Sequence, residues 1–266
     1  MSSGGSTSFD RAAAYYDETR RLTEEGARAQ TKLLTNELLG RGRTLEVGVG
    51  TGQVALPLAA EGIPIAGVDL SGSMLRVLID KVDKAGGVPF PLVVGDATRL
   101  PFRDGAFGAG VARWVFHLIL GWRDALAELV RVVRPGGVLL ILLGSYGAGP
   151  RAQVQDRFNE LVGLRNEPIG IAWGDVATLD SAMEELGASP RSLPVLTDVE
   201  PQPLSVFLDG IAQNRFSWTW RISPEDLARA EPQLRAWARE RFGPLDRTPA
   251  DPIDYDWRAY DLAGSE

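Results

Sequence analysis

The stretch Thr44-Leu-Glu-Val-Gly-Val-Gly-Thr-Gly-Gln53 decides how the rest of this chain is read. Its first half has the apolar pattern of a short buried strand, and its second half is a glycine loop opening a helix near Thr51. Gly48, Gly50 and Gly52 can adopt backbone conformations closed to other residues and bring bare peptide close to a ligand. A helix N-terminus behind such a loop offers unpaired N–H groups and a positive dipole end. Glycine turns also close strands for purely structural reasons, so the meaning of this one rests on its surroundings.

Those surroundings lie in a chain of 266 residues, 44% apolar and 24% charged, an ordinary balance for a globular protein with a real core. The 28 Lys and Arg against 35 Asp and Glu leave a net charge of −7, without a basic block. Nucleic acid is therefore not expected as the main partner, because phosphate contacts need a basic face. Disulfides, thiolate metal sites and a cysteine nucleophile are excluded, since there is no cysteine. A single histidine, His117, rules out a His-rich metal site, and no metal is expected. Residues 1–9 read as a flexible lead-in, and Met1 to Ser8 lack the basic and apolar regions of a signal peptide. With no apolar run long enough to span a bilayer, the expected location is cytoplasmic.

Residues 10–42 read as a helical cover of one or two helices, stopped by Gly40 and Gly42. From residue 43 to 144, strands alternate with amphipathic helices. Strands are expected at Thr44–Val47, Ile63–Leu70, Leu92–Val94, Phe107–Trp114 and Val138–Leu143, with Arg134-Pro-Gly-Gly137 stopping the helix before the fifth. Ser71 is a good N-cap for the helix carrying Met74, Leu75 and Leu78. Strands apolar on both faces with helices between them mean a parallel sheet covered on both sides. The fold class is α/β, a doubly wound and mostly parallel sheet. Beyond Gly144 the rhythm breaks, and residues 145–266 read as a helical cap over the substrate region together with the last strands of the sheet. Helices are expected near Ala152–Leu164, Asp175–Leu186, Leu204–Asn214 and Pro224–Arg241, and strands at Arg191–Val199 and Tyr255–Leu262. Five of seven tryptophans lie here, most of them explained by a core and some by a pocket.

In an open parallel sheet, ligands bind outside the carboxyl ends of the strands where the strand order reverses. Candidate polar groups fall at four such ends. Glu46, Gly48 and Gly50 mark the first, Asp69 the second, Asp96 the third, and Arg113 to His117 the fourth. Asp69 lies 21 residues after Gly48, the spacing at which a carboxylate accepts hydrogen bonds from ribose hydroxyls; its structural alternative is to cap the helix at Ser71. Asp96 with the Ala97 N–H can pair with an adenine edge, and its structural alternative is an Asx-turn before Arg99.

The series Leu-Glu-Val-Gly-Val-Gly-Thr-Gly (45–52), Gly-Val-Asp-Leu-Ser (67–71), Gly-Asp-Ala-Thr-Arg-Leu-Pro-Phe (95–102) and Arg-Val-Val-Arg-Pro-Gly-Gly (131–137) resembles the class I S-adenosylmethionine-dependent methyltransferases, in particular the quinone-biosynthesis-like, small-molecule subgroup. The resemblance covers about residues 10–144. It implies a Rossmann-like sheet of seven strands and S-adenosyl-L-methionine as cofactor. It also implies that the glycine loop packs on the methionine part, Asp69 holds the ribose, and Asp96 and Ala97 hold the adenine. Leu70 and Met74, beside the second strand end, and Arg113 belong to the same candidate set. Tyr16-Asp-Glu-Thr-Arg20 is similar to a helix that covers the cofactor in some relatives, which implies roles for Tyr16 and Arg20 at its carboxylate. His117 matches the first histidine of a His-His-Leu element, but Leu118 stands at the second and Gly108 replaces an Asp after Phe107. His117 is accordingly a candidate base or a wall residue of the cofactor pocket.

The implied reaction is transfer of a methyl group to a small apolar or aromatic metabolite by in-line displacement, with Phe216-Ser-Trp-Thr-Trp-Arg221 as a candidate lining segment. Two alternatives stand beside it. Gly50-Thr-Gly-Gln-Val-Ala55 fits a loose G-x-G-x-x-A pattern of nicotinamide-dependent reductases, with Asp69 serving that cofactor equally well. A catalytically inactive protein that binds the nucleoside is the other.

Overall fold

The computed structural model describes residues 7–20, 22–164, 168–199, 202–248 and 250–264. The first six residues of the expected lead-in lie outside the described residues. A seven-stranded sheet forms the centre. Its strands are β1 (Thr44–Val47), β2 (Ile65–Asp69), β3 (Leu92–Val94), β4 (Phe107–Arg113), β5 (Val133–Leu142), β7 (Ala188–Ser192) and β10 (Arg258–Leu262). Their order is β3-β2-β1-β4-β5-β10-β7, with only β10 antiparallel to its neighbours. The order reverses between β1 and β4, which places the ligand crevice outside the ends of those two strands.

Alternation along the strands builds a core on each face. Leu139, Ile141 and Leu143 face one cluster, where α5 (Trp122–Val132) and α7 (Val176–Glu185) pack with Leu126, Leu129, Leu179 and Met183. Val138, Leu140 and Leu142 face the other, which holds α2 (Glu24–Leu38), α3 (Ala55–Ala60) and α4 (Gly72–Ala85) through Leu34, Leu58 and Leu78. Each such leucine is worth about 1.5–3 kcal/mol when fully buried.

Three of the expected strands differ in the structure by more than a residue or two at an end. β5 starts at Val133 and runs straight through the Arg134-Pro-Gly-Gly segment, because a register shift against Phe107–Ala109 absorbs the extra residues. Gly137 there leaves no room for a side chain, its Cβ position lying 2.7 Å from the Gly108 carbonyl oxygen. The single strand expected over Arg191–Val199 is two, β7 and β8 (Leu196–Val199). Likewise Tyr255–Leu262 divides into β9 (Pro252–Tyr255) and β10, with the fully buried Trp257 at the break. In each pair one strand joins the main sheet. The other joins a small antiparallel sheet, β6 (Ser145–Tyr146), β9 and β8, that continues β5 beyond the crevice.

The cap draws its helices from two separate stretches: α6 (Pro150–Val162), then α8 (Leu204–Ala212) and α9 (Pro224–Phe242). They share their own core of Phe158, Leu208, Ile211, Phe216 and Leu234. No helix among the described residues is long and apolar enough to cross a membrane.

The small sheet also fixes the N-terminal cover, which comprises a helical turn at Asp10–Ala12, α1 (Tyr16–Arg20) and α2. Buried Asp198 on β8 accepts the Thr23 N–H at 2.8 Å and the Thr23 hydroxyl, while that hydroxyl caps α2 by accepting the Gly26 N–H at 3.0 Å. A Cβ on Gly26 would fall 2.6 Å from the Asp198 carboxyl, so this approach requires glycine. Asp198→Ala strands the Thr23 donors and is expected to lower the unfolding free energy by about 1–3 kcal/mol, read from the urea midpoint at constant slope.

Candidate active site

At the switch point the glycine loop and the end of β2 are joined by one carboxylate. Asp69 accepts the Gly50 N–H through Oδ2 and the Ser71 N–H through Oδ1, each at 2.8 Å. Burial pushes its pKa up, and these two N–H bonds pull it back. Gly48 and Gly50 line the cavity with φ of +70° and +53°. A side chain on Gly48 would strike Val115, 2.7 Å from its Cβ position. Gly52 has a different function: its Cβ position lies 2.4 Å from Leu78 and 3.0 Å from Leu56, so its bareness lets two helices close behind the loop. The loose dinucleotide pattern of residues 50–55 thus places its second glycine in helix packing rather than at a ligand.

Residues of the N-terminal cover hold this loop from above. Asp10 accepts from the Ser71 hydroxyl at 2.6 Å, which holds its pKa at about 2. Asp17 accepts from the Thr51 hydroxyl at 2.6 Å and from Gln53 Nε2 at 2.9 Å, and pairs with Lys81. The sequence pattern around Tyr16 and Arg20 therefore has a third working member. Asp17 ties α1 to the loop, and this brings Tyr16 and Arg20 onto the cavity wall.

Arg113 ends β4 almost fully buried, and burial lowers its pKa. Its Nη1 donates to Gln53 Oε1 at 2.8 Å, and its guanidinium lies 3.9 Å over the Trp114 ring. Glu46 sits behind the loop and does not line the cavity. It takes the Ala55 N–H at the start of α3, and burial, only partly opposed by Arg113, pushes its carboxyl well up. Its Oε2 and the Arg113 Nε are buried without hydrogen-bond partners among the described residues. Asp96 spends Oδ1 on the Thr98 N–H and hydroxyl at 2.9 and 2.8 Å, the Asx-turn anticipated as its alternative role, and still lines the cavity beside Ala97. The cavity measures about 760 Å³, within the range of small-molecule sites. Leu70, Met74 and His117 also line it.

His117 is held neutral. Burial and the nearby Arg20 lower its pKa to about 3, and its Nδ1 carries no hydrogen bond among the described residues. Its ring meets Trp173 edge-on at 4.7 Å. Trp114, at φ +55°, is one of two non-glycine residues in the left-handed region among the described residues. Such a conformation costs of order 1–3 kcal/mol and concentrates at functional sites. It places the indole 5.9 Å from each of Trp173 and Tyr255, tilted against both. These three rings, with Phe207, Phe216 and Trp218 from the cap, wall the half of the cavity away from Asp69 and Asp96. The charges in that half are matched: Arg215 pairs with Glu18, and Arg151 lies 3.8 Å from Asp251. Position after β4 hints at Trp114 in the sequence. Nothing local marks Trp173 and Tyr255, which arrive from distant segments. Of the Phe216–Arg221 motif, Phe216, Ser217 and Trp218 reach the cavity, whereas Arg221 is exposed outside it.

A methyltransferase-domain family model matches residues 45–141. The chain is 33% identical over 136 residues to the demethylmenaquinone methyltransferase of Renibacterium salmoninarum, covering 50% of this chain and 55% of that protein. The chain thus spans little more than half the length of this relative. It is 32% identical over 197 residues to the phosphatidylethanolamine N-methyltransferase of Cereibacter sphaeroides, covering 72% of this chain and 87% of the relative. Among solved structures, YcgJ of Bacillus subtilis superposes with a TM-score of 0.58 at 20% identity over 91% of this chain and 99% of its own, a likeness of fold. The chain belongs to the class I S-adenosylmethionine-dependent methyltransferases, a family whose cofactor is S-adenosylmethionine.

Because His117 is the only histidine, its ring Cε1–H gives a single nuclear magnetic resonance signal of that type. That signal is expected to show no protonation between pH 8 and about pH 5 in the folded chain, with a midpoint near 3 against about 6.5 unfolded. Between those two values the unfolded chain binds more protons. The contribution to stability is therefore complete above about pH 6.5 and is lost as the pH falls. A folded-state midpoint near 6.5 would contradict the buried, neutral assignment.

Proposed function

We propose that this protein transfers the methyl group of S-adenosylmethionine to a small, largely apolar or aromatic metabolite by in-line displacement. The observation that carries the proposal is the continuity of one cavity from the glycine loop, Asp69 and the Asp96–Ala97 pair to a ring-walled half with matched charges. In this reading Asp69 accepts from the ribose hydroxyls, with its orientation fixed by Gly50 and Ser71. Asp96 and the Ala97 N–H meet the adenine, while Leu70 and Met74 supply its apolar contacts. Gly48 and Gly50 bring bare backbone to the amino-acid end, where Tyr16, Arg20 and Arg113 receive the carboxylate. Glu46 supports the loop from behind at the start of α3.

When bound, the cofactor supplies an activated methyl on a sulfonium, and its thioether leaves without needing an acid. The chain then has three tasks: to position the acceptor, to exclude water and to keep the wall fixed. A neutral His117 with a pKa of about 3 is a weak base, which fits a wall residue better than a proton acceptor. Names among the relatives include both quinone-type and lipid-amine acceptors. The rings around Trp114 favour a flat, uncharged acceptor. The net charge of −7 supports a small molecule rather than nucleic acid, and the lack of cysteine fits a reducing, cytoplasmic compartment.

Calorimetric titration tests the cofactor half directly. S-adenosylhomocysteine is expected to bind and NADH is not; the reverse result would sink the proposal. Asp69→Ala is expected to weaken S-adenosylhomocysteine binding by about 1.5–3 kcal/mol, roughly tenfold to a hundredfold, through lost charge-assisted hydrogen bonds. An unchanged affinity would remove Asp69 from the site.

A further inference from the structure

The tryptophan-rich run after α8 is shaped on its own side by the cap. Asn214 holds a left-handed conformation, φ +56°, and its Oδ1 accepts the Thr219 hydroxyl at 2.7 Å. Gly210 leaves room for the Phe216 ring, which lies 2.7 Å from where a Cβ would stand. Arg215 and Phe216 are thereby presented to the cavity.

The N-terminal segment docks on this run from the opposite side. Glu18 pairs with Arg215, whose guanidinium lies 4.7 Å over the Tyr15 ring. Arg20 lies 5.0 Å over Phe216, and Phe9 and Arg11 each meet the Trp220 ring at 4.9 Å. The same dozen residues carry Asp17, bonded to Thr51 and Gln53 at the glycine loop, and Asp10, bonded to Ser71 at the start of α4. One short segment thus grips both halves of the cavity, with Asp17 facing the loop and Glu18 facing the cap.

We infer that residues 9–20 couple the two halves: cofactor binding, by fixing this segment on the glycine loop, docks Arg215 and Phe216 and so completes the acceptor wall. Glu18 and Arg215 are positioning residues that act through Phe216 and Trp218. The inference rests on the cofactor reading above. Coupling of this kind is reciprocal, so what cofactor binding adds to the order of the cap is returned as cofactor affinity.

Hydrogen–deuterium exchange of the full chain, with and without S-adenosylhomocysteine, tests it without any acceptor. In the wild type the ligand is expected to slow exchange over residues 204–221 by about tenfold, a typical coupling factor. Glu18→Gln removes an ion pair whose acid is 65% exposed, so the variant is expected to fold and to bind S-adenosylhomocysteine. Its ligand-dependent slowing over 204–221 should be clearly reduced, with affinity reduced by no more than the same factor. The exchanged pair Glu18→Arg with Arg215→Glu should restore the slowing. Wild-type binding with unaltered exchange over 204–221, or full slowing in Glu18→Gln, would overturn the coupling alone. Failure of the wild type to bind S-adenosylhomocysteine would overturn the cofactor reading and the coupling with it.

Discussion

The grip of the Asp69 carboxylate on two backbone N–H groups is the constraint from which the site follows. Gly50 belongs to the loop after β1, and Ser71 begins α4 after β2. One side chain therefore sets the distance between the two loops. Ser71 extends the constraint outward, since its hydroxyl accepts the Met74 N–H and donates to Asp10. The cap of a core helix, the orientation of a ligand-facing carboxylate and the anchor of the N-terminal cover thus converge on one dipeptide step. The ring-walled half of the cavity is held instead by ion pairs and packing between segments far apart in the chain.

That difference explains what could be read from the sequence. The sheet order from β3 to β5 follows from alternation of apolar runs and amphipathic helices, both of them local signals. Asp69 and Asp96 stand at strand ends, and strand ends are visible in the pattern. Glu46 stood equally close in sequence, yet the pleat turns it behind the loop, toward the start of α3. The divided strands were not legible, because Arg191–Val199 and Tyr255–Leu262 read as continuous extended segments. Each splits only because the main sheet and the small sheet compete for the same stretch, and the buried Trp257 marks where the chain passes from one to the other. Trp114, Trp173 and Tyr255 meet through tertiary packing that no spacing reveals.

The departures from the family pattern also acquire physical reasons. Gly108, where the resemblance implies an acid, faces the Arg41 carbonyl oxygen so closely that any Cβ would lie 1.6 Å from it. The chain crossing from α2 to β1 occupies the space an acidic side chain would need. At the other departure, Leu118 lines the cavity beside His117, and the Leu118 carbonyl accepts the Thr7 N–H at 3.2 Å. The segment after β4 thus holds the residues that lead into the N-terminal cover.

A neutral histidine, matched ion pairs and stacked rings are together a poor apparatus for moving protons and a good one for excluding water. The proposed methyl transfer would suit such a site, because a sulfonium donor would supply a leaving group that needs no acid. What the site must resist is a loose acceptor, since a misplacement of about 1 Å can cost a hundredfold in rate. The strained Trp114 is intelligible on these terms. An indole held at φ +55° against Trp173 and Tyr255 gives up backbone comfort for a fixed place in the wall. Rigidity at the end of β4 and coupling through residues 9–20 then serve one requirement, that acceptor and methyl meet along a single line.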